Sequence, residues 1–315
     1  FDISHTAILT PWVSENLFGP GEHFHLGMFV ERSTDGDRDR YFVRSLMYGS
    51  PAREAGVRVG DELVGVNGKG FSESPRRTLA GFEARRRMFT VQVERDEEIE
   101  LDIRRRRGGR VRQLTATAER SLNAVASARH SVRVLGGREV APVGYIHFWN
   151  VMSGENVKVF NQALEGDLAS VAALAVDLRG RGGNIAVIMA LSQILADLDK
   201  PVTLLVDRQT RSAKEMLAQS LKGYSHITLV GETTAGAVLP ATFLKLPGGA
   251  QLMLPVSMGD SAIRMFNRGP RLEGRGAIPD VKVAMPIPYR AGRDPILRRS
   301  LALLRKQASG ALLKL

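Results

Sequence analysis

Residues 201–223 read PVTLLVDRQTRSAKEMLAQSLKG, a stretch that combines a strand, a turn and a helix. Its first seven residues are mostly β-branched and apolar, which is typical of a buried strand. From Ala213 onward, apolar residues recur three and four positions apart, as on one face of a helix that Gly223 would end. Ser212 therefore lies at the junction between the predicted turn and the predicted helix.

Two interpretations of Ser212 follow from this position. Backbone N–H groups and the positive end of the helix dipole would stabilise an oxyanion formed beside its hydroxyl, which suits a nucleophile. Ser212 and Glu215 also match the Ser-x-x-Glu capping box, and serine starts many helices for that reason alone. The local sequence leaves both interpretations open.

The same alternation of strand and helix extends towards the N-terminus. Residues 143–148 and 172–177 have the composition of strands, as residues 201–207 do, whereas residues 156–164 and 185–198 carry helical apolar spacing. Strands that alternate with helices predict an α/β domain with a largely parallel sheet.

A glycine-rich turn, Asp177-Leu-Arg-Gly-Arg-Gly-Gly183, connects a predicted strand to a predicted helix. It lacks the Lys-Ser/Thr of a phosphate loop, and Ile185 takes the last position of a G-x-G-x-x-G motif, so the pattern does not predict a nucleotide site. Such a turn can instead offer backbone N–H groups to a developing oxyanion.

The composition excludes several classes of protein. The chain has 315 residues, of which 43% are hydrophobic, which predicts about two domains with a sizeable core. No run reaches the roughly 18 apolar residues that a membrane span needs. Phe1–Trp12 lacks the profile of a signal peptide, so we expect a trimmed form whose export signal was lost upstream. Zero cysteines exclude disulfides, zinc thiolates and a cysteine nucleophile.

The chain is basic, with a net charge of +11, and much of the excess is arginine in short runs. Residues 85–87 and 104–107 are all arginine. Basic runs can bind nucleic acid, anionic lipid or acidic peptides. No aromatic residues interleave with these arginines to stack bases, so we favour a solvated face and expect no nucleic-acid partner.

Residues 49–68 read GSPAREAGVRVGDELVGVNG, which resembles the helix–turn–strand signature of a PDZ domain. Residues 41–46, 89–94 and 99–103 alternate like half-buried strands around it. The resemblance implies that a peptide C-terminus binds at a sheet edge, with its carboxylate in a backbone nest formed by Leu26, Gly27 and Met28. His25 replaces the first glycine of the usual loop, so carboxylate binding stays open, as does a role in packing or gating.

Four motifs in order resemble the C-terminal processing (tail-specific) serine peptidases, and the PDZ signature ahead of them fits the same family. In one branch of that family a lysine deprotonates the serine, but Ala237 occupies that position here. The chain matches instead the branch that includes the tricorn protease core and retinoid-binding-protein-like repeats. The motifs are the turn at 177–183, Ser-Ala-x-Glu at 212–215, Leu-Val-Gly-Glu-Thr-Thr-Ala-Gly at 229–236, Leu-Glu-Gly-Arg-Gly-Ala-Ile-Pro-Asp at 272–280 and, specific to this branch, Ser-His-Thr at 4–6.

The resemblance implies a catalytic set. Ser212 would be the nucleophile, and His5 would be the general base and later the general acid. Ser4 and Glu273 would orient the imidazole and stabilise its cation. The N–H groups of Ala213, Gly182 and Gly183 would form the oxyanion hole. Each residue also has a structural interpretation: Ser212 as a helix cap, His5 as a terminal surface residue, and Glu273 as a turn carboxylate paired with a neighbouring arginine.

The resulting hypothesis is an α/β protein: a ClpP/crotonase-like catalytic core with an inserted, mainly β PDZ domain. Residues 1–20 would carry the Ser-His motif, 21–107 the PDZ domain and 108–315 the peptidase core. It would be a serine endopeptidase that acts on polypeptides or their C-termini, with no metal or cofactor. The resemblance implies export, and assembly into a homo-oligomer stays open. The alternatives are an inactive protease-like scaffold that binds a peptide and an arginine-rich nucleic-acid binder.

Overall fold

A computed structural model describes residues 5–11, 24–35, 38–79, 88–120, 123–136, 141–256 and 272–312. The chain forms two compact units. Unit 1 consists of Phe1–Asn123, Ala241–Pro255 and Pro286–Arg293, and unit 2 consists of Ala124–Pro240, Val256–Met285 and Asp294–Leu315. The predicted segments 1–20 and 21–107 fall within unit 1, whereas 108–315 contributes to both units. The predicted domain bounds stay a prediction.

The described part of unit 2 is built on a six-stranded sheet. Its strands, in their order across the sheet, are β12 (Arg133–Leu135), β13 (Val143–His147), β14 (Ala173–Asp177), β15 (Val202–Val206), β16 (Ile227–Gly231) and β19 (Val281–Lys282). Strand β12 is antiparallel to its neighbour, and the other pairs are parallel.

Helices connect these strands. The apolar runs predicted as strands are β13, β14 and β15, and all their residues are buried. Burial on both faces explains why these strands read as continuous apolar runs rather than alternating ones. The helices are α2 (Ala124–Ser131), α3 (Glu155–Glu165), α4 (Ile185–Ala196), α5 (Ala213–Leu221) and α6 (Pro295–Leu312). None of the described helices combines the length and apolar character that a membrane span needs.

The parallel arrangement decides where the glycine turn and Ser212 lie. The turn follows the carboxyl end of β14, and Ser212 follows the carboxyl end of the neighbouring strand β15. Since the carboxyl ends of parallel strands meet at one edge of a sheet, the two loops lie side by side at the edge where α/β proteins usually bind ligands.

The largest sheet described in unit 1 contains the strands β3 (Met28–Asp35), β4 (Arg38–Leu46), β5 (Glu62–Val66), β6 (Lys69–Gly70), β7 (Arg76–Leu79), β8 (Met88–Val91), β9 (Glu98–Arg104) and β10 (Val111–Thr117), and helix α1 (Pro51–Glu54) lies between β4 and β5 in the chain. The strands pair antiparallel in the order β10-β9-β5-β4-β3-β8-β7, and β6 pairs with β5. An apolar cluster that includes Leu26, Tyr41, Phe71 and Phe89 forms the core of this sheet. Predicted strand 89–94 is shorter, because β8 ends at Val91.

Two smaller sheets complete unit 1. Strand β2 (Phe24–His25) pairs with β11 (Glu119–Arg120). Strands β1 (Ala7–Leu9), β18 (Gln251–Pro255) and β17 (Ala241–Lys245) form a three-stranded antiparallel sheet in that order. His5 therefore lies two residues before a strand that is held by a segment far along the chain.

Candidate active site

Ser212 has a strained backbone. Its φ is 55° and its ψ is −133°, a combination outside the regions that residues with a side chain usually adopt. Such strain costs of order 1–3 kcal/mol and persists only where the surroundings hold it, which is frequent at active sites. A serine on a sharp strand-to-helix turn is also the arrangement that exposes the nucleophile of many hydrolases. The helix that follows, α5, begins at Ala213 and ends at Leu221, as the spacing predicts.

Glu215 holds this turn in place. Its Oε2 atom accepts hydrogen bonds from the N–H groups of Ser212 (3.0 Å) and Ala237 (2.9 Å). Its Oε1 atom accepts from the N–H of Gly236 (2.6 Å) and from the Thr234 hydroxyl. Burial raises the pKa of this carboxyl, and the hydrogen bond from Thr234 is the first of those that oppose the rise. The Glu215 part of the predicted capping box is thus present, and it also ties Ser212 to the loop at 234–237.

The glycine turn lies against Ser212. A Cβ atom added to Gly182 would lie 2.8 Å from the Cβ of Ser212, so only glycine fits there. Among the described residues, none accepts a hydrogen bond from the N–H groups of Gly182 or Ala213. N–H groups without a protein acceptor beside a serine hydroxyl are what an oxyanion hole requires. The predicted role of these groups, and of Gly183, in binding an oxyanion stays a prediction.

Glu273 reaches the same loop as Ser212. The N–H of Gly274 donates to the Gly236 carbonyl (2.8 Å), which docks the glycine-rich turn at 272–276 against the loop. The Glu273 Oε2 atom accepts from the N–H groups of Val238 (2.7 Å) and Leu239 (3.2 Å). Ser212 also donates to this loop, through its N–H and the Ala237 carbonyl (2.8 Å). Glu273 and Ser212 are therefore both hydrogen-bonded to the same loop, at residues 237–239.

The remaining two members of the predicted set lie in a different part of the chain. His5 belongs to unit 1, where it is buried, and its φ is 63°. Ser4 lies outside the described residues. The roles of His5 and Ser4 stay predictions from the family resemblance.

The first residues of the glycine turn belong to a buried ionic cluster of Asp177, Arg179 and Asp294. Arg179 donates to both Asp177 and Asp294. Burial alone would raise the pKa of Asp177, but the Arg179 guanidinium holds it well below its usual range. Burial lowers the pKa of His147 to about 4, so its ring is neutral near pH 7, and its Nε2 lies 2.9 Å from the Arg179 carbonyl. Among the described residues, no group of three or more His, Asp and Glu side chains is arranged to hold a metal ion.

The predicted carboxylate loop of unit 1 is already engaged in hydrogen bonds. Leu26, Gly27 and Met28 are buried, and the Gly27 N–H donates to Nδ1 of His25 (2.8 Å). Strand β3, which begins at Met28, pairs on one side with β4 and on the other with β8. A peptide that added as a strand to the β8 side would have to replace pairs such as Val30 with Phe89.

Sequence reasoning gave no role to Lys214 and treated Glu215 only as a cap residue. Both are fully buried, and both make several hydrogen bonds to the backbone. The local sequence carries no signal of this burial, since charged residues on a helix are usually exposed to solvent. Lysine and glutamate are rarely fully buried without partners, and the sequence does not show partners that are distant along the chain.

Comparisons with known proteins show that this chain is similar to the members of one family. Residues 191–283 match the model of Peptidase family S41. The carboxy-terminal processing protease CtpB of Bacillus subtilis (strain 168) is 22% identical over 272 residues, which cover 77% of this chain and 52% of that protein. The chloroplastic carboxyl-terminal-processing peptidase 2 of Arabidopsis thaliana is 26% identical, with 71% and 47% covered. The chain spans about half the length of these curated relatives.

Solved structures share the fold. The photosystem II D1 C-terminal processing protease superposes with a TM-score of 0.54 at 20% identity, covering 97% of this chain and 83% of that one. A protein described as an S41 protease from Bacteroides fragilis NCTC 9343 gives a TM-score of 0.61 at 16% identity, with 97% and 86% covered. The predicted α/β fold class and the predicted relationship to C-terminal processing peptidases are confirmed. The PDZ insertion and the tricorn-like branch stay predictions.

Proposed function

Because the chain is related to the peptidases of family S41, we propose that it is a serine endopeptidase that cleaves polypeptides by acyl transfer at Ser212. The observation that carries this proposal is the strained turn at Ser212, held by Glu215 beside N–H groups that have no acceptor among the described residues. A strained serine with adjacent donors is costly for a simple helix cap and useful for a nucleophile.

The proposed chemistry follows the pattern of a serine–histidine pair. His5 takes the proton of the Ser212 hydroxyl as its oxygen attacks the substrate carbonyl carbon, and the carbonyl oxygen becomes an oxyanion. The tetrahedral intermediate then collapses, and His5 returns the proton to the departing amine. Water then attacks the acyl carbon while His5 takes its proton. His5 returns this proton to the Ser212 oxygen as the bond between that oxygen and the acyl carbon breaks, which releases the carboxylic acid product. The mechanism uses Ser212, His5, the groups that orient them and the N–H groups of Gly182 and Ala213, which would bind the oxyanion.

Glu273 and Ser4 are proposed to orient His5. One Glu273 oxygen, Oε2, is fixed by the two N–H groups of the 238–239 backbone. Its other oxygen receives no hydrogen bond from a described residue, so it remains available for the Ser4 hydroxyl or the imidazole. A carboxylate held by backbone N–H groups keeps its position as the imidazole becomes a cation, which is the role of the acid in a catalytic triad.

A fluorophosphonate probe tests this proposal. The probe reacts with activated serines, so we expect it to label the full chain once, and peptide mass spectrometry should locate the adduct on Ser212. The matched control is Ser220→Ala, because Ser220 is a serine on the same helix whose hydroxyl donates to the Leu217 carbonyl. Ser212→Ala should abolish labelling, and Ser220→Ala should not change it. A well-folded wild-type protein that the probe does not label would instead support the inactive scaffold.

The proposal extends to the choice of substrate. By resemblance to PDZ domains, the loop of Leu26, Gly27 and Met28 would bind the terminal carboxylate of a polypeptide. In the structure, the Gly27 N–H that such a carboxylate would use donates to His25. His25 therefore competes with the substrate for this donor, and we expect carboxylate binding to be weak while the imidazole Nδ1 accepts that hydrogen bond.

Replacing His25 by glycine should strengthen peptide binding several-fold, because the Gly27 N–H is released. The measurement is fluorescence anisotropy of a labelled peptide with a free C-terminus, in a Ser212→Ala background that prevents cleavage. The same peptide with an amidated C-terminus is the control and should gain nothing from the substitution. Equal binding of both peptides to both proteins would show that this loop does not recognise a carboxylate.

A further inference from the structure

Lys214 is a fully buried lysine two residues after Ser212. Its Nζ donates to the carbonyl oxygens of Phe148 (2.8 Å) and Trp149 (3.1 Å), at the end of strand β13. A buried lysine is costly unless it is well paired, and a methionine or leucine would fill a similar volume without that cost. The site therefore uses the hydrogen bonds of the amine and not only its bulk.

The carbonyls that Lys214 holds belong to the segment against which the glycine turn is built. The Trp149 carbonyl also accepts from the Arg181 N–H (2.6 Å). Two residues on, the Val151 N–H donates to the Gly182 carbonyl (3.1 Å), and the Val151 carbonyl accepts from the Asn184 N–H (2.9 Å). These three bonds clamp the turn at 181–184 onto residues 149–151.

Close packing makes the turn depend on the position of this segment. A Cβ atom added to Gly180 would lie 2.6 Å from the Trp149 carbonyl oxygen, and one added to Gly183 would lie 2.2 Å from a Val151 methyl carbon. Because no space separates these two glycines from residues 149–151, a displacement of residues 149–151 must move the glycines. Gly182 in turn lies against Ser212, so the displacement would reach the predicted oxyanion site.

The charges around Lys214 are consistent with a held amine. Burial lowers its pKa to about 7, while Asp177 and Asp207 favour the charged form. The same Asp177 is bound by Arg179, and His147 lies within this group as a neutral ring. Either protonation state of the amine has enough hydrogens to donate to both carbonyls.

We propose that Lys214 is a positioning residue: it fixes residues 148–151 and, through them, the glycine turn that presents N–H groups beside Ser212. This inference rests on the proposed peptidase function, since it assigns a role within that site. Lys214 does not touch the reacting atoms in this proposal. It acts on the geometry of the oxyanion donors, which affects the transition state more than substrate binding.

The test is Lys214→Met, which keeps the length of the side chain and removes its donors. The readouts are kcat and KM for a peptide substrate, with the enzyme concentration set by fluorophosphonate active-site titration. We expect kcat per titrated site to fall about 10- to 100-fold with little change in KM. A structural role alone would lower the melting temperature and the titrated fraction, and would leave kcat per site at the wild-type value.

Lys200→Met is the matched control. Lys200 also donates to a carbonyl, that of Val171 (3.1 Å), but it lies two residues before strand β15, at the opposite end of that strand from Ser212. We expect its kcat per titrated site to equal that of the wild type. If Lys214→Met does not fold, Lys214→Gln, which keeps a donor on a shorter side chain, takes its place with the same expectation of a reduced kcat.

The outcomes separate the two proposals. An inactive and unlabelled wild-type protein would overturn the peptidase function and this inference with it. An active wild type together with a Lys214 variant that keeps the full kcat per titrated site would overturn the inference alone. A reduced kcat at an unchanged KM, with Lys200→Met unaffected, would support it.

Discussion

The rate of fluorophosphonate labelling at Ser212 should fall about a thousand-fold or more when His5 is replaced by alanine. A serine hydroxyl is a weak nucleophile near neutral pH, and without a base its proton has no acceptor as the oxygen attacks. In serine peptidases, loss of the histidine removes most of the catalytic acceleration. Hydrolysis of a peptide substrate should also fall steeply, because both reactions need the proton of the Ser212 hydroxyl to be removed.

The control for His5→Ala is His130→Ala, a substitution of an exposed histidine at the end of helix α2. It should leave the labelling rate unchanged. Since His5 is buried, near-ultraviolet circular dichroism must first show that the His5 variant keeps its tertiary structure, and His5→Gln offers a second variant if it does not. Labelling of a folded His5 variant at close to the wild-type rate would assign the role of base to another group.

Replacing Glu215 by alanine is expected to give the second large effect, on both stability and activity. The substitution removes the acceptor of the Gly236 and Ala237 N–H groups and of the Thr234 hydroxyl. The Ser212 N–H loses one of its two acceptors and keeps the Ala237 carbonyl. Each buried donor left without an acceptor costs roughly 1–3 kcal/mol, so the free energy of unfolding should fall by about 3 kcal/mol or more. The Ser212 turn should relax from its strained conformation, and labelling should slow at least tenfold.

Urea unfolding and the labelling rate measure these two consequences separately. Asp280→Asn is the control, because Asp280 accepts a backbone N–H from Leu229 (2.9 Å) and its other interaction in the described residues is a partly exposed ion pair with Lys222 (3.3 Å). The Asp280→Asn substitution should lower the free energy of unfolding by about 1 kcal/mol at most and leave the labelling rate unchanged. A Glu215→Ala protein with wild-type stability and wild-type labelling would show that the hydrogen bonds of this carboxylate do not hold the site.

The sheet of unit 2 was predictable because its strands are buried on both faces. Runs such as residues 172–177 and 201–207 are continuously apolar, and the helices between them have clear apolar faces. The three-stranded sheet of unit 1 was not predictable in this way. It pairs Ala7 with Met253, and no local pattern in either short strand indicates so distant a partner.

The residues of the candidate site also differ in how far the sequence predicts them. Ser212 and Glu273 stand in motifs that a reader of the sequence can find, and the structure brings both to one loop. Lys214 and Glu215 stand in the same motif as Ser212, but their roles depend on backbone groups at 148–149 and 236–237. A charged residue on a helix is usually exposed to solvent, so the burial of Lys214 and Glu215 and their hydrogen bonds are seen only in the folded chain.

The order of segments along the chain also bears on how the protein is made. Unit 1 takes residues from three separate stretches, the last of which ends at Arg293. Strand β1, which follows His5, pairs with β18, so this pairing can form only after the ribosome has added more than two hundred further residues. Domains usually fold as units during synthesis, N-terminal ones first. Here the histidine-bearing end cannot reach its native state early, so a nascent chain would carry Ser212 for some time without its proposed base in place.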